Sequence, residues 1–357
     1  MLRIVLTGGG SAGHVTPNIA LIEALRQQGW SMEYIGGIDG VEKHMIEPLQ
    51  IVYRGIHCGK LRRYFSWQNF LDPWKILLGI AEAYRLLWRF HPHIVFSKGG
   101  FVAFPVVVAA KLLKIPVVAH ESDFTPGLAN RLSLPFVNKI CVTFEAVTKH
   151  FKYPEKVIHT GTPLRESVLH GDRARGLVYC GFNDTQPCIL VMGGGQGAQV
   201  INQCIRAGLD EWLKTFQIIH LCGVGKIDLA CLEKPFYKQI EYASEELPDL
   251  LAASDLIISR AGANSLYEIL ALKKPHILIP LSKASSRGDQ IENANYFQAQ
   301  GVSEVIQEEE LSVERLRQSI AFVMQHKQTM IQKMQTLNIQ SATTKILELL
   351  QKTATLK

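Results

Sequence analysis

The chain has 357 residues, too long for one ordinary core, so two domains of usual size are expected. Its apolar content of 47% is that of a globular protein, and no run of about 18 uncharged apolar residues exists, which excludes a membrane-spanning helix and leaves only peripheral membrane contact. The net charge of +6 is one-sided: residues 1–162 carry 18 Lys+Arg against 11 Asp+Glu, the remainder 20 against 21, so an anionic partner is expected for the first half.

Taken in chain order, short apolar runs alternate with helical patterns. Strands are predicted at 2–7, 32–36, 51–54, 93–97, 116–119 and 139–143, then at 188–192, 217–222, 238–242, 255–259, 276–280 and 303–306. Helices are predicted between them, among others Pro17–Gln28, Trp74–Phe90, Val200–Trp212, Ser265–Leu272 and Asp289–Gln300, with helix again after about 311. Such alternation means two parallel sheets with helices on both faces. The expected division is 1–162, 163–340 and a last helix, 341–357, that packs back on the first domain; a hinge is expected near 162–178. The seven cysteines are odd in number and lack CxxC spacing, so reduced, buried thiols are expected, with no zinc or disulfide framework. A strand begins at once, so no leader segment is expected, and a cytoplasmic chain follows.

The first strand ends in Gly8-Gly9-Gly10-Ser11-Ala12-Gly13-His14, and the strand 188–192 ends in Gly193-Gly194-Gly195-Gln196-Gly197-Ala198; each loop opens a helix. Glycine lets backbone N–H groups crowd a ligand, and a helix start attracts anions, so a phosphorylated ligand held in a cleft between two nucleotide-fold domains is expected. Gly8, Gly10 and Gly13 also fit G-x-G-x-x-G, but the second strand runs into Gly36-Gly37 where a dinucleotide fold needs an acidic ribose ligand. His14 stands at a helix start, whose dipole favours neutral imidazole; facing a cleft it could take a proton from a hydroxyl, or it could simply cap the helix.

Gly99-Gly100-Phe101 and His120-Glu121-Ser122-Asp123 follow strands, where ligands of open α/β sheets bind, although turn and cap chemistry would also account for them. The Asn130 amide suits sugar hydroxyls. Arg165, read as lying in the first turn of a helix, could clamp a diphosphate or stand idle at the domain joint. Ser265-x-x-Glu268 is either a capping box or a helix start carrying a carboxylate for a ribose, and Gln290 and Asn293 offer polar contacts nearby. The stretch 60–74 mixes cations with aromatics (Arg62, Arg63, Phe65, Trp67, Phe70, Trp74), a composition suited to an anionic bilayer surface; single-stranded nucleic acid is the alternative, for which the glycine loops have no use. The following helix, with Leu77, Ile80, Tyr84 and Trp88, could belong to that surface or pack on its own sheet.

As a set, Gly8–Asn18, Lys98–Pro105, His120–Asn130, Gly161–Arg165, Gly193–Ala198 and Arg260–Glu268 give this chain a pattern that resembles the bacterial peptidoglycan N-acetylglucosaminyltransferases of the GT-B superfamily, from the first strand to about residue 300. The resemblance implies a GT-B fold, two Rossmann-like domains with parallel sheets facing across a cleft. It implies an inverting hexosyltransferase moving N-acetylglucosamine from UDP-N-acetylglucosamine to the muramoyl C4 hydroxyl of lipid I (undecaprenyl-diphospho-N-acetylmuramoyl-pentapeptide), giving lipid II. It puts the chain on the inner, cytoplasmic face of the bacterial plasma membrane, with cell-wall synthesis proteins as further candidate partners and no nucleic acid. Carried over by position, it sets Ser11, Ala12 and Gly13 beside the donor and makes His14 the base. Asn130 and Arg165 fall on donor or acceptor contacts, Glu268 on the ribose ligand, Gln290 on a sugar contact, and Ala263, Asn264 and Ser265 on the diphosphate. Gly195 replaces a serine of many relatives and leaves only backbone donors; uracil recognition falls near Tyr242–Ser244, with Ser244 as the candidate. No D-x-D occurs, so no metal or other cofactor is expected. The rival readings are another GT-B enzyme, a nicotinamide-dependent oxidoreductase, or a non-catalytic nucleotide-binding partner of a membrane complex.

Overall fold

A computed structural model describes residues 1–59, 68–194 and 197–355. The chain divides into two compact units, Met1–Arg165 with Ser341–Lys357, and Glu166–Gln340.

The first unit alternates β1 (Arg3–Thr7), α1 (Thr16–Gln27), β2 (Ser31–Gly37), α2 (Val41–Ile46), β3 (Val52–Ile56), α3 (Gln68–Phe90), β4 (Ile94–Ser97), α4 (Ala103–Leu112), β5 (Val117–Glu121), α5 (Leu128–Ser133), β6 (Lys139–Val142) and β7 (Val157–His159). All its strand pairs are parallel, in the order β3-β2-β1-β4-β5-β6-β7. The order reverses between β1 and β4, and the loops after both strands open at that switch, where open α/β sheets bind ligands. The inner strands read as continuous apolar runs because both faces are covered: Ile94 to Ser97 and Val117 to Glu121 are buried throughout.

The second unit contains α6 (Glu166–Leu169), α7 (Arg173–Cys180), β8 (Cys188–Met192), α8 (Gln199–Trp212), β9 (Gln217–Leu221), β10 (Tyr237–Ile240), α9 (Leu247–Ala253), β11 (Leu256–Ser259), α10 (Ala263–Ala271), β12 (His276–Leu278), α11 (Asp289–Ala299), β13 (Glu304–Val305) and α12 (Val313–Thr336). Its sheet is parallel, ordered β10-β9-β8-β11-β12-β13, with the reversal between β8 and β11.

The last helix, α13 (Thr343–Thr355), belongs to the first unit: Ile346, Leu347, Leu350 and Ala354 enter the core formed by Leu21, Leu25 and Trp30. Ala342 N donates to Thr162 O at 3.1 Å and Leu164 N to Ser341 Oγ at 3.2 Å, fixing its approach. Cys141, Cys180, Cys188, Cys204, Cys222 and Cys231 are free thiols, and burial pushes the Cys141 and Cys188 thiols up to about 12.

The twelve predicted strands are present. A thirteenth, β7, is a three-residue edge strand, too short to show a period in sequence. The helix expected from Trp74 begins earlier, at Gln68, and runs through Pro73.

Candidate functional site

In the first unit the glycine loop after β1 is braced from beneath. Tyr34 on β2 donates to Gly8 O at 2.7 Å, and Asn18 on α1 donates to the Tyr34 hydroxyl at 3.0 Å. Glu42 on α2, with no exposed surface, accepts from Gly10 N at 3.1 Å and from Gly37 N at 2.8 Å. Tyr53 stacks on Tyr34, ring centroids 6.0 Å apart, and donates to Gly37 O. Burial raises both phenols above their ordinary range, and the nearby Glu42 carboxylate adds to it. A carboxylate therefore does stand at the end of β2, but its oxygens are spent on the loop's own amides rather than presented to a ribose.

The loop after β4 packs on this one, backbone to backbone. Gly99 and Gly100 have φ of +86° and +82°, and a methyl on Gly100 would overlap the Gly9 carbonyl. His14 closes a single 3₁₀ turn, Ala12–His14, ahead of α1 and is half-buried. Its Nδ1 lies 3.0 Å from Ser11 Oγ, and its N–H donates to Ser11 O at 3.1 Å. Ser11, Ala12 and Gly13 are exposed beside it.

Under the same switch, Glu121 is a hub that the sequence did not reveal. Its carboxylate accepts from Asp123 N at 3.1 Å, Gly127 N at 2.8 Å and Asn130 Nδ2 at 3.0 Å, shaping the loop 122–127. Asn130 Nδ2 also donates to His120 O at 3.1 Å. The Asn130 amide is thus buried scaffolding, with its Oδ1 unpartnered among the described residues. His120 Nε2 donates to Gly161 O at 2.9 Å; burial, helped by Lys98, holds this histidine neutral, well below its ordinary range. Lys98 is itself buried, which lowers its ammonium, while Glu121 and Asp123 pull it back up. Arg165 is half-buried and directly precedes α6 instead of lying in its first turn.

In the second unit the glycine loop after β8 is held by a neutral row of side chains and by Lys226, whose ammonium donates to Gly197 O at 3.4 Å. A Cβ on Gly197, whose φ is +68°, would overlap the Cys222 carbonyl, and Asn202 Nδ2 donates to that carbonyl at 2.8 Å. Asn202 Oδ1 accepts from His220 Nε2 at 3.0 Å, which leaves His220 Nδ1 to accept from Tyr237 at 2.7 Å. Burial and the neighbouring Arg206 push His220 down to about 3. At Gly194, with φ +86°, a Cβ would meet no atom of the described residues within 4 Å.

The helix α10 decides between two readings of Ser265. Its N-cap is Gly262 and no side chain caps it, so Ser265 is the third helical residue and the capping box is not formed. The first turn, Ala263, Asn264 and Ser265, presents its N–H groups at the C-terminal end of β11, and Glu268 is buried one turn later. Helix α11 fastens this turn: Asn293 Nδ2 donates to Ala261 O at 3.1 Å, and Gln290 Oε1 accepts from Leu281 N at 3.1 Å beside Gly262. Arg260 is committed elsewhere, to the carbonyls of Ile279 and Pro280 and an ion pair with Glu308. Ser244 is exposed after the edge strand β10, its N–H donating to Glu246 Oε2 at 3.2 Å.

Arg62, Arg63, Phe65, Trp67 and Gly195 lie outside the described residues, as does the side chain of Phe70. Trp74 is 71% exposed, and with Leu77, Leu78, Tyr84 and Trp88 it forms one exposed face of α3, flanked by exposed Lys75, Arg85 and Arg89. The opposite face, with Ala83 and Leu87, is buried. Leu77, Tyr84 and Trp88 therefore do not pack on the sheet, and from Trp74 to Arg89 α3 carries an exposed apolar face flanked by cations. Among the described residues no helix is long and apolar enough to cross a membrane, and no group of three or more His, Cys, Asp or Glu is placed to hold a metal ion.

Residues 4–142 match the glycosyltransferase family 28 N-terminal domain, and residues 188–350 the family 28 C-terminal domain. The chain is 59% identical over 351 residues to the UDP-N-acetylglucosamine–N-acetylmuramyl-(pentapeptide) pyrophosphoryl-undecaprenol N-acetylglucosamine transferase of Legionella pneumophila strain Paris, covering 98% of this chain and 97% of the relative. It is 52% identical over 350 residues to the protein of the same name from Clostridium botulinum strain Alaska E43, covering 98% of each. Among solved structures, MurG of Acinetobacter baumannii matches with a TM-score of 0.76 at 24% identity, covering 99% of this chain and 100% of that one. The glycosyltransferase of kitacinnamycin matches at 0.75 and 15%, covering 98% of each. These structures establish the two-domain GT-B fold.

Proposed function

The chain belongs to glycosyltransferase family 28, among its N-acetylglucosaminyltransferases of lipid-linked muramyl pentapeptide, and from this premise we infer the reaction and the parts that perform it. The enzyme moves N-acetylglucosamine from UDP-N-acetylglucosamine to lipid I, forming lipid II with inversion at the anomeric carbon. The observation that carries this is 59% identity over nearly the whole length of a transferase of that name.

We propose that His14 takes the proton of the muramoyl C4 hydroxyl as its oxygen bonds to the anomeric carbon, while the bond to the UDP oxygen breaks. General-base help of this kind is worth ~10²–10⁴ in rate. The 3.0 Å approach of Ser11 Oγ to Nδ1 supports it, because a hydroxyl on Nδ1 orients the ring and leaves Nε2 to act. The donor's diphosphate is assigned to the uncapped first turn of α10, Ala263 to Ser265, with Glu268 accepting ribose hydroxyls and Gln290 contacting the sugar. The backbone N–H of Gly195 is assigned to the donor, and Ser244 to uracil. Ser11, Ala12 and Gly13 lie beside the transferred sugar, and Arg165 offsets charge on the leaving diphosphate. Asn130, with both N–H groups engaged, meets substrate only through Oδ1.

The exposed face of α3, with the cationic stretch 60–74 before it, holds the enzyme peripherally on the inner, anionic surface of the plasma membrane, where its lipid acceptor lies. Cell-wall synthesis proteins are then neighbours on that surface. The test is incubation with labelled UDP-N-acetylglucosamine and a short-chain lipid I analogue. A β-1,4-linked disaccharide product supports the reading; hydrolysis of the donor alone, or transfer only to a non-muramoyl lipid, contradicts it.

A further inference from the structure

We propose that Glu42 is a positioning residue for the transfer: it holds Gly10, and through Gly10 it sets Ser11 and the His14 ring. The proposal rests on the reading of His14 as base. Glu42 has no exposed surface, and among the described residues no Lys, Arg or His forms an ion pair with it. A buried carboxylate without a cation is costly to keep, so its two hydrogen bonds matter. They go to Gly10 N, on the loop leaving β1, and to Gly37 N, the last residue of the adjacent strand β2. Three glycines make the space. A Cβ on Gly9 or Gly40 would overlap the Glu42 carboxyl, and one on Gly36 would crowd its side chain.

The chain of consequence is short. Gly10 adopts φ +83° and leads directly into Ser11. Ser11 meets the His14 ring at Nδ1 and the His14 N–H through its carbonyl. With the hydrogen on Nδ1 donated to Ser11 Oγ, the Nε2 lone pair is the one that takes the proton. Releasing Gly10 would release Ser11, and the ring would lose its aim. A glutamine at position 42 keeps the shape but offers one acceptor oxygen; its NH₂ would face an amide N–H, so one bond must be lost.

The experiment uses the full chain with Glu42→Gln and His14→Ala, measuring transfer to a short-chain lipid I analogue, UDP-N-acetylglucosamine binding by calorimetry, and deuterium uptake over residues 8–14. For Glu42→Gln we expect kcat to fall about tenfold to a hundredfold, as misaimed catalytic groups do, with the donor Kd within about twofold of the parent. Uptake over 8–14 should rise, and the acid limb of the kcat profile should move. Should that variant fail to fold, Glu42→Asp, which keeps both acceptor oxygens at shorter reach, is read by the same criteria. A kcat within threefold of the parent while His14→Ala is inactive overturns the proposal. So does a loss of turnover matched by equal loss of donor binding, which is what general unfolding gives. If His14→Ala itself turns over normally, the base reading is what fails, and the proposal falls with it.

Discussion

The two glycine loops read alike in sequence and are built differently. Each follows a central strand and opens a helix at the sheet's switch point. Beneath the first lie a fully buried carboxylate and two stacked tyrosines; the second is fastened by the row Cys222 carbonyl, Asn202, His220 and Tyr237 and by the Lys226 ammonium on Gly197 O. A carboxylate under a loop disfavours an anion above it, whereas the second loop's supports, the Lys226 ammonium among them, do not oppose one. The contrast fits the roles proposed above, proton transfer in the first unit and the grip on a diphosphate in the second. A glycine-rich loop is therefore not one device, and what it does depends on the side chains under it.

That contrast can be pressed from several sides. The largest effect is expected at Gly100, where left-handed backbone and contact with the Gly9 carbonyl coincide. Gly100→Ala should cost about 3 kcal/mol or more, from the left-handed penalty plus overpacking, seen as a lower denaturation midpoint and lost turnover. A stable, active Gly100→Ala would break the picture of two loops packed backbone to backbone.

Acid should act on both units, since buried His120 of the first is held below its ordinary range as well; the second shows the effect at two histidines. His276 is wholly buried and held down to about 4, its Nδ1 donating to Lys274 O and its Nε2 accepting from the Ser303 hydroxyl, and His220 is lowered in the same direction. A histidine lowered on folding is neutral in both states above its unfolded value of about 6.5, so its neutral-form stability is fully present there. As pH falls from about 6.5 towards 4 the unfolded chain takes up the proton first, and up to about 3 kcal/mol is lost from His276 alone. Urea denaturation followed at pH 7 and pH 4.5 checks this; His276→Gln, if it folds, should flatten the slope.

A smaller effect belongs to Gly194, which shares the left-handed conformation but where a Cβ would meet no described residue within 4 Å. Gly194→Ala should cost only the conformational penalty, about 1 kcal/mol, and should weaken donor binding more than it weakens the fold. The mildest change is expected from Trp74→Ser with Trp88→Ser. Stability should be nearly unchanged because both rings are exposed, while binding to vesicles containing anionic lipid should weaken in a sedimentation assay. Unaltered vesicle binding would move the membrane face elsewhere.

Much of the fold was legible because parallel strands covered on both faces are continuous apolar runs, as in Ile94–Ser97 and Cys188–Met192. The edge strand Val157–His159 was not, since three residues carry no period. The helix α3 shows the limit of periodicity: its spacing announced an apolar face but not whether that face meets the sheet or the outside. Its tight approach to the body runs through Gly79, where a Cβ would overlap the His57 carbonyl. The loops and helix starts of the candidate site could be read from glycines and small residues. The groups beneath them could not, because Glu42 and Glu121 act through backbone amides distant in sequence or hidden in a turn. The clustering of Gly36, Gly37 and Gly40 just before an acidic residue was the available signal for Glu42.

The division of labour is tested most directly by measuring donor Kd and kcat side by side for His14→Ala and Glu268→Ala. The account predicts that His14→Ala keeps UDP-N-acetylglucosamine affinity and loses about 10²-fold or more in kcat. Glu268→Ala should weaken donor affinity about tenfold, the value of a hydrogen bond to a charged group, with kcat at saturating donor largely kept. Loss of donor affinity on changing His14, or full affinity after changing Glu268, would contradict it.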